Sequence, residues 1–374
     1  MANDTGDLLA LARRSVEVIA EFQDVGGAYV ASPTFSVYQF SWFRDGAFIA
    51  DAMSRVGAAD SAERFFGWCA KVLAARRHQI NDLVARKGGP IHRDEFLPTR
   101  YTLAGGDTGE HWWDFQTDGY GTWMWALWQH TLRHGTSAEP YRDAVELCTR
   151  YVSAFWNLPC FDWWEEFPDC VHTSTLSSLH AGLSAAVAMG VLEPQTAATA
   201  GQGCIDIERR LLANSIVDGR LRKAESRPDI DASLIACFTP FATFEPTSPL
   251  ARNTYARILT DLAPDGVHRY LDDTYFGGGR WVVLAGLVGW HEAATGHAER
   301  AMGRLRWMHA QATPDGLLPE QVHMHALHPE RVDEWINKWG PVATPLLWSH
   351  AMYLTLGEAL GLWDVTLAAS EESS

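Results

Sequence analysis

At 374 residues, with 47% hydrophobic and 20% charged residues, the chain can bury a sizeable core, as one large domain or two average ones. A formal net charge of −16 leaves no basic surplus to neutralise phosphates, which argues against a nucleic-acid binder and against an anionic membrane surface. A neutral partner fits that balance.

In chain order, the N-terminal stretch "MANDTGDLLALARRSVEVIAEFQ" has no basic region leading into a long apolar run. It reads as an amphipathic helix, and a cytoplasmic protein is expected. No later segment is apolar enough for long enough to span a bilayer. Apolar residues at three- and four-residue intervals predict helices over 8–22, 45–57, 61–78, 121–135, 139–156 and 173–190. The same spacing predicts six more, over 193–214, 231–238, 249–262, 280–296, 297–312 and 343–361. Asp, Ser or Thr precede many of these runs and Gly or Asn follow them. Convincing strand pairs joined by hairpin turns are missing, so the fold class is all-α.

Linkers and low-complexity tracts are absent apart from a polar tail from about residue 368, so residues 1–374 read as one domain. Twelve helices make six helical hairpins, stacked as an open solenoid or closed into six inner and six outer helices. No fixed-period repeat is visible, which weakens the solenoid. The even-numbered helices are richer in apolar and small residues, as helices buried all round should be. The unusual residues fall just before those helices: "YQFSWFRDG", "HWWDFQTDGYG", "FDWWEEF", "DIDAS", "RYLDDTYFGGG" and, further upstream of its helix, "LLPEQV". If the even helices form the inner ring, all six loops meet at one mouth, in a pocket of acids, arginines and indoles. Seventeen tryptophans are many for this length; about half are expected to be core filling, while several sit beside carboxylates, arginines and glycines in segments that read as loops.

Cleaving a glycosidic bond requires a proton donor for the leaving oxygen and a second carboxylate on the other face. Glu165 and Glu166 are the donor candidates, because adjacent carboxylates repel and flanking indoles desolvate them. Glu320 is the candidate base, and the hydrogen-bonding Gln321 that follows it is a candidate sugar ligand. Spacing alone leaves the choice between the two donors open.

The loops resemble those of glycoside hydrolase family 15, the glucoamylase and glucodextranase family, over about residues 25–360. "YQFSWFRDG" is similar to the segment whose Arg and Asp grip the non-reducing glucose, which implies Arg44 and Asp45, beside Trp42. "WWDFQTDGYG" implies Trp113 as the stacking indole. "DWWEE" implies Glu165 as general acid and Glu166 as a sugar ligand, with Trp163 and Trp164 as pocket indoles. "RYLDDTY" implies Arg269 as a sugar contact, "LPEQ" implies Glu320 as base, and "ATPLLWSHA" implies Trp348 near the site. The resemblance implies an (α/α)6 barrel, inversion at the anomeric carbon, no cofactor and no metal. Water would lie between Glu320 and the Tyr38 phenol, and single β-glucose units would leave the non-reducing end of a small neutral gluco-oligosaccharide. The chain has no room for the β-sandwich or starch-binding domain of many relatives. That favours short substrates of isomaltose or maltose type, with a trehalose-hydrolysing member as the alternative. Two departures stand out: Phe276 where the family often has a second Tyr after Tyr275, and His350 where Tyr is common.

Other readings compete. Arg44–Asp45 also fits a helix cap with an ion pair, and Trp163 and Trp164 fit a core. The "GGG" at 277–279 lacks the Lys-Ser/Thr of a phosphate loop and reads as a tight turn. His323, His325 and His328 lack a partner completing a zinc set at familiar spacing. The Asp272–Asp273 pair is a poor match for the metal-bridging acids of a terpene synthase. A non-catalytic sugar-binding protein would need the aromatic cleft without both Glu165 and Glu320. The six cysteines are expected as reduced thiols, Cys160 and Cys170 being the one pair considered for a disulfide.

Overall fold

The computed structural model describes residues 2–109, 112 and 114–368. Its α-helices are α1 (Ala2–Glu21), α2 (Phe43–Arg55), α3 (Ala59–Ala75), α4 (Arg77–Ala85), α5 (Asp118–His134), α6 (Arg142–Phe155) and α7 (Thr173–Ala188). The second half adds α8 (Pro194–Asn214), α9 (Pro249–Leu262), α10 (Val282–Ala294), α11 (Ala298–His309), α12 (Val332–Trp339) and α13 (Leu347–Ala359).

Six elements close a ring in which each packs on the next: α2, α5, α7, the 3₁₀ segment Ala232–Cys237, α10 and α13, which returns to α2. The chain is thus an (α/α)6 barrel. Burial separates the two layers. Every residue from Phe43 to Ser54 of α2 is buried, as is every residue from Val282 to Glu292 of α10 and from Leu347 to Gly357 of α13. Outer α3 buries only a stripe, including Phe65, Phe66, Cys69, Val72 and Leu73. That contrast is what all-round apolar inner helices and amphipathic outer ones produce.

Eleven of the twelve expected helices are α-helical. The exception, 231–238, is the short 3₁₀ turn Ala232–Cys237. It is confined between Asp231, whose side chain accepts from the Ser233 N–H, and Pro240, too short a run to propagate an α-helix. Two helices were not expected. Polar α4 continues α3 beyond a break at Arg76, and α12 lies outside the ring with no fully buried residue. Strands were not expected either, yet three antiparallel pairs of two residues each occur. They are β1 (Ser41–Trp42) with β2 (Arg100–Tyr101), β3 (Ile216–Val217) with β4 (Arg220–Leu221), and β5 (Arg280–Trp281) with β6 (Gln321–Val322). The β3–β4 turn is Asp218-Gly219, both at positive φ, a hairpin signal present in the sequence but flanked by strands too short to register.

All six cysteines are free thiols. No helix among the described residues is long and apolar enough to cross a membrane. The polar tail from residue 369 onward lies outside the described residues.

The closest inner-ring crossing is between α5 and α7. A Cβ on Gly121 would lie 2.4 Å from the Ser178 carbonyl oxygen, and one on Gly182 would lie 2.5 Å from the Gly121 Cα. Backbone rather than a flexible side chain blocks both. Gly182→Ala is therefore expected to lower stability by about 1–3 kcal/mol, read as a lower midpoint in chemical denaturation. An unchanged midpoint would mean the two helices can separate freely.

Candidate active site

The inner-helix loops meet at one mouth and enclose a cavity of about 160 Å³. Its wall draws on five of the six expected loops: Tyr38, Trp42, Arg44 and Asp45 before and at the start of α2, Trp112 before α5, and Trp163 to Glu166 before α7. Arg269, Thr274, Tyr275 and Trp281 come from the loop before α10, and Glu320, Trp335, Trp339, Leu346 and Trp348 from the region leading to α13. The sixth loop differs. Asp231 is buried beneath the wall, where its carboxylate accepts from Trp164 Nε1 (2.9 and 3.2 Å) and from Lys223 Nζ (2.7 Å). Among the described residues eight tryptophans line the cavity, about half of the seventeen in the sequence.

Glu165 and Glu166 do not act as a repelling pair, because the backbone turns them apart. Glu165 has φ +64° and Phe167 φ +51°, left-handed values that side-chain-bearing residues seldom adopt and that cost about 1–3 kcal/mol each. Asp162 closes the turn. Its Oδ1 accepts the N–H groups of Trp164 (3.0 Å) and Glu166 (2.9 Å), and its own carbonyl accepts from Glu165 N–H (3.0 Å). Glu165 Oε1 then accepts from Trp42 Nε1 at 2.7 Å, while Glu166 turns to Arg269 Nη2 (3.5 Å) and the Tyr270 hydroxyl. Burial pushes the Glu165 carboxyl up to about 7 and the Asp45 charge adds to the rise, against Arg44 and the Trp42 and Gln116 hydrogen bonds. The expected repulsion from Glu166 is replaced by that of Asp45. Burial also raises Glu166, with the Arg269 charge opposing.

Glu320 is 2% exposed. Its segment is tied down on both sides: Glu320 N–H to the Ala343 carbonyl (2.9 Å), Val282 N–H to the Glu320 carbonyl (3.1 Å), and Ser349 Oγ to the Pro319 carbonyl (2.8 Å). Oε1 accepts from the Tyr38 hydroxyl at 3.0 Å and Oε2 from Gln321 Nε2 at 3.4 Å. Burial pushes this carboxyl to about 7 as well, against the pull of Tyr38, Gln321 and Arg269. Burial and the Glu320 charge keep the Tyr38 phenol well above its usual range, so Tyr38 is a donor at neutral pH. Its oxygen also lies 2.9 Å from the Tyr275 oxygen. Trp42 and Tyr38 pack edge to face with ring centroids 5.7 Å apart, so one loop touches both carboxylates.

Arg44 sits between Asp45 (3.3 Å), Asp118 (3.2 Å) and Gln116 (2.9 Å), and burial pushes Asp45 up to about 6 despite that guanidinium. The buried Arg269 is paired with Asp273 through Nε (2.7 Å). Of the sequence-derived residues, the cavity unites Tyr38, Glu165, Glu320, Trp42, Arg44, Asp45, Trp163, Trp164, Glu166, Arg269 and Trp348. Trp113 lies outside the described residues; its neighbour Trp112 is in the wall. Gln321 does not line the cavity: its amide oxygen accepts from Gly279 N–H (3.0 Å), which aims the nitrogen at Glu320. His350 is also away from it, with Nε2 accepting from Leu318 N–H (3.0 Å) and Nδ1 at 2.9 Å from Ser15 Oγ.

Sequence reasoning missed Trp281, Trp335 and Trp339. Trp335 and Trp339, four residues apart in "EWINKW", carried the helical signal that would have placed them on one face. Asp272 and Asp273 diverge, Asp273 to Arg269 and Asp272 to a separate groove. His323 lies 3.3 Å from the Phe276 carbonyl, and among the described residues no three His, Cys, Asp or Glu side chains are grouped to hold a metal.

A double helical ring whose mouth holds two buried carboxylates in an indole-walled pocket meets the needs of a glycoside hydrolase. More narrowly, the chain belongs to the glycosyl hydrolases family 15, whose family model matches residues 8–285. It is 46% identical to the isomaltose glucohydrolase of Kribbella flavida, covering 96% of this chain and 97% of that protein. A solved glycosidase, a glutamate-to-alanine variant in complex with glucose, is 44% identical with a TM-score of 0.94, covering 97% and 99% of the two chains. A bacterial glucoamylase complexed with acarbose shares the fold at 17% identity and a TM-score of 0.74, over 97% of this chain and 58% of the other.

A carboxyl raised from 4.5 to about 7 opposes folding on the order of 3 kcal/mol once ionised. Below about 4.5 both folded and unfolded chains are protonated and nothing is lost; the penalty grows with pH and is complete above about 7. Glu320→Gln should therefore melt a few degrees above the parent at pH 8, with the gain shrinking towards pH 5. Equal melting temperatures at both pH values would show that Glu320 is not held at raised proton affinity.

Proposed function

We propose that this chain, acting as one catalytic unit over residues 1–374, is an inverting, exo-acting α-glucoside hydrolase. It releases β-glucose from the non-reducing end of short oligosaccharides, isomaltose foremost. One observation carries the reading: Glu165 and Glu320 both face a single small cavity and both are raised to about 7 by burial. The isomaltose glucohydrolase of Kribbella flavida and the glucose-bound glycosidase support the substrate class.

In this mechanism Glu165 gives its proton to the glycosidic oxygen as the bond from that oxygen to the anomeric carbon breaks. Water attacks the anomeric carbon from the opposite face and loses a proton to Glu320. Glu165 ends ionised and Glu320 protonated, and exchange with solvent resets both. Arg44 and the Trp42 N–H stabilise the carboxylate that Glu165 becomes, and Tyr38 orients the water beside Glu320. Arg44, Asp45, Glu166 and Arg269 hold the glucose hydroxyls, with Trp42, Trp112, Trp163, Trp164 and Trp348 as apolar walls and Trp113 assigned by family resemblance alone. Gln321 acts through Glu320.

Glu165→Gln and Glu320→Gln should each cost about 10²–10⁴-fold in turnover on isomaltose with the fold retained. NMR of fresh product should find β-glucose first, and initial α-glucose would overturn inversion. A panel of isomaltose, maltose, trehalose and longer dextrins tests the linkage and chain length. Loss of the Gln321 amide removes a hydrogen bond that favours ionised Glu320. Gln321→Leu should therefore move the acid limb of kcat/KM to higher pH, and a limb left in place would detach Gln321 from the base.

A further inference from the structure

Beneath the Glu165 turn lies a buried ammonium for which the mechanism above has no use. Lys223, 3% exposed, places Nζ 2.7 Å from Asp231 Oδ2 and 3.1 Å from Asp162 Oδ2. The same Nζ sits 3.8 Å from the centroid of the Tyr270 ring, whose hydroxyl donates to Glu166. Each neighbour of the ammonium grips a different part of the turn. Asp162 holds the backbone N–H groups on either side of Glu165, Asp231 holds the Trp164 indole, and Tyr270 holds the Glu166 carboxylate. The Lys223 main chain adds a fourth tie, because its carbonyl accepts the N–H of Thr173 at the start of α7 (3.1 Å). The ammonium thus joins three supports that belong to separate stretches of chain.

We propose that Lys223, with Asp231, is a positioning residue that holds the Glu165 turn in its left-handed form and so aims the general acid. The inference rests on the reading of Glu165 as that acid. A left-handed Glu165 relaxes towards ordinary backbone angles when its supports loosen. Relaxation swings the carboxyl away from Trp42 and from the glycosidic oxygen. Glu320, on a loop held by α13 and β5, is untouched, so proton donation suffers and water activation does not.

The test compares two substrates. Isomaltose needs a proton on its leaving oxygen, whereas α-glucosyl fluoride loses fluoride without one and still needs water activated at the anomeric carbon. Lys223→Met should lower kcat on isomaltose by about 10²-fold and on the fluoride by less than about threefold. Lys223→Arg, which keeps the charge, should recover part of the loss. If Lys223→Met does not fold, Asp231→Asn gives the same two-substrate comparison, since it keeps an acceptor for Trp164 and leaves the ammonium on Asp162. Equal loss on both substrates, or no loss on isomaltose, overturns the proposal. Glu165→Gln, measured alongside, judges the acid assignment separately. Loss confined to isomaltose keeps it and equal loss on both removes it, whatever the Lys223 variants do.

Discussion

The site is organised by one short loop that reaches both carboxylates. Trp42 donates to Glu165, Tyr38 donates to Glu320, and the two rings pack edge to face. The two acids come from loops 155 residues apart in sequence, one before α7 and one before α13. A common loop between them is what turns two independent buried carboxyls into a pair with a fixed relation. β1, on the same loop, pairs with β2, which fixes Trp42 against Arg100.

Burial of these acids sets the chemistry and the cost together. Burial raises Glu165, Glu320 and Asp45 alike, while the partners that oppose the rise differ: Arg44 acts on Glu165 and Asp45, and Tyr38 and Gln321 act on Glu320. The barrel can carry such a site because its inner helices are buried all round and its crossings are as close as the glycines of α5 and α7 allow. A pocket that is strained and lined by buried charged groups is thereby held by a frame whose stability lies elsewhere.

The fold was legible because all-round burial and one-sided burial leave different apolar patterns, and because the rare residues cluster before alternate helices. Much of the pocket list followed from family resemblance and not from spacing. Spacing could not separate Glu165 from Glu166, since their divergence depends on a left-handed backbone angle fixed by Asp162 and, further along the chain, by Lys223 and Asp231. Gln321 was expected at the sugar, but its neighbour Gly279 takes its amide oxygen. The α12 indoles went unread because an eight-residue amphipathic helix outside the ring looks like an aromatic loop. Asp231 sits under the wall instead of in it because Trp164 and Lys223 claim its carboxylate.

The ring is closed by its last strut. α13 fills the gap between α10 and α2 and packs on α1, with the Tyr353 hydroxyl donating to the Leu8 carbonyl and His350 facing Ser15. The first and last helices of the ring, α2 and α13, must therefore meet before the circle is complete, the kind of distant pairing that slows folding. Until then α2 has an open flank, and the loop bearing Glu320 lacks Ala343, which takes its backbone N–H, and Ser349, which donates to the Pro319 carbonyl. A chain cut between Glu320 and α13 carries both carboxylates but lacks Trp348 in the cavity wall, so the pocket is finished only when α13 docks.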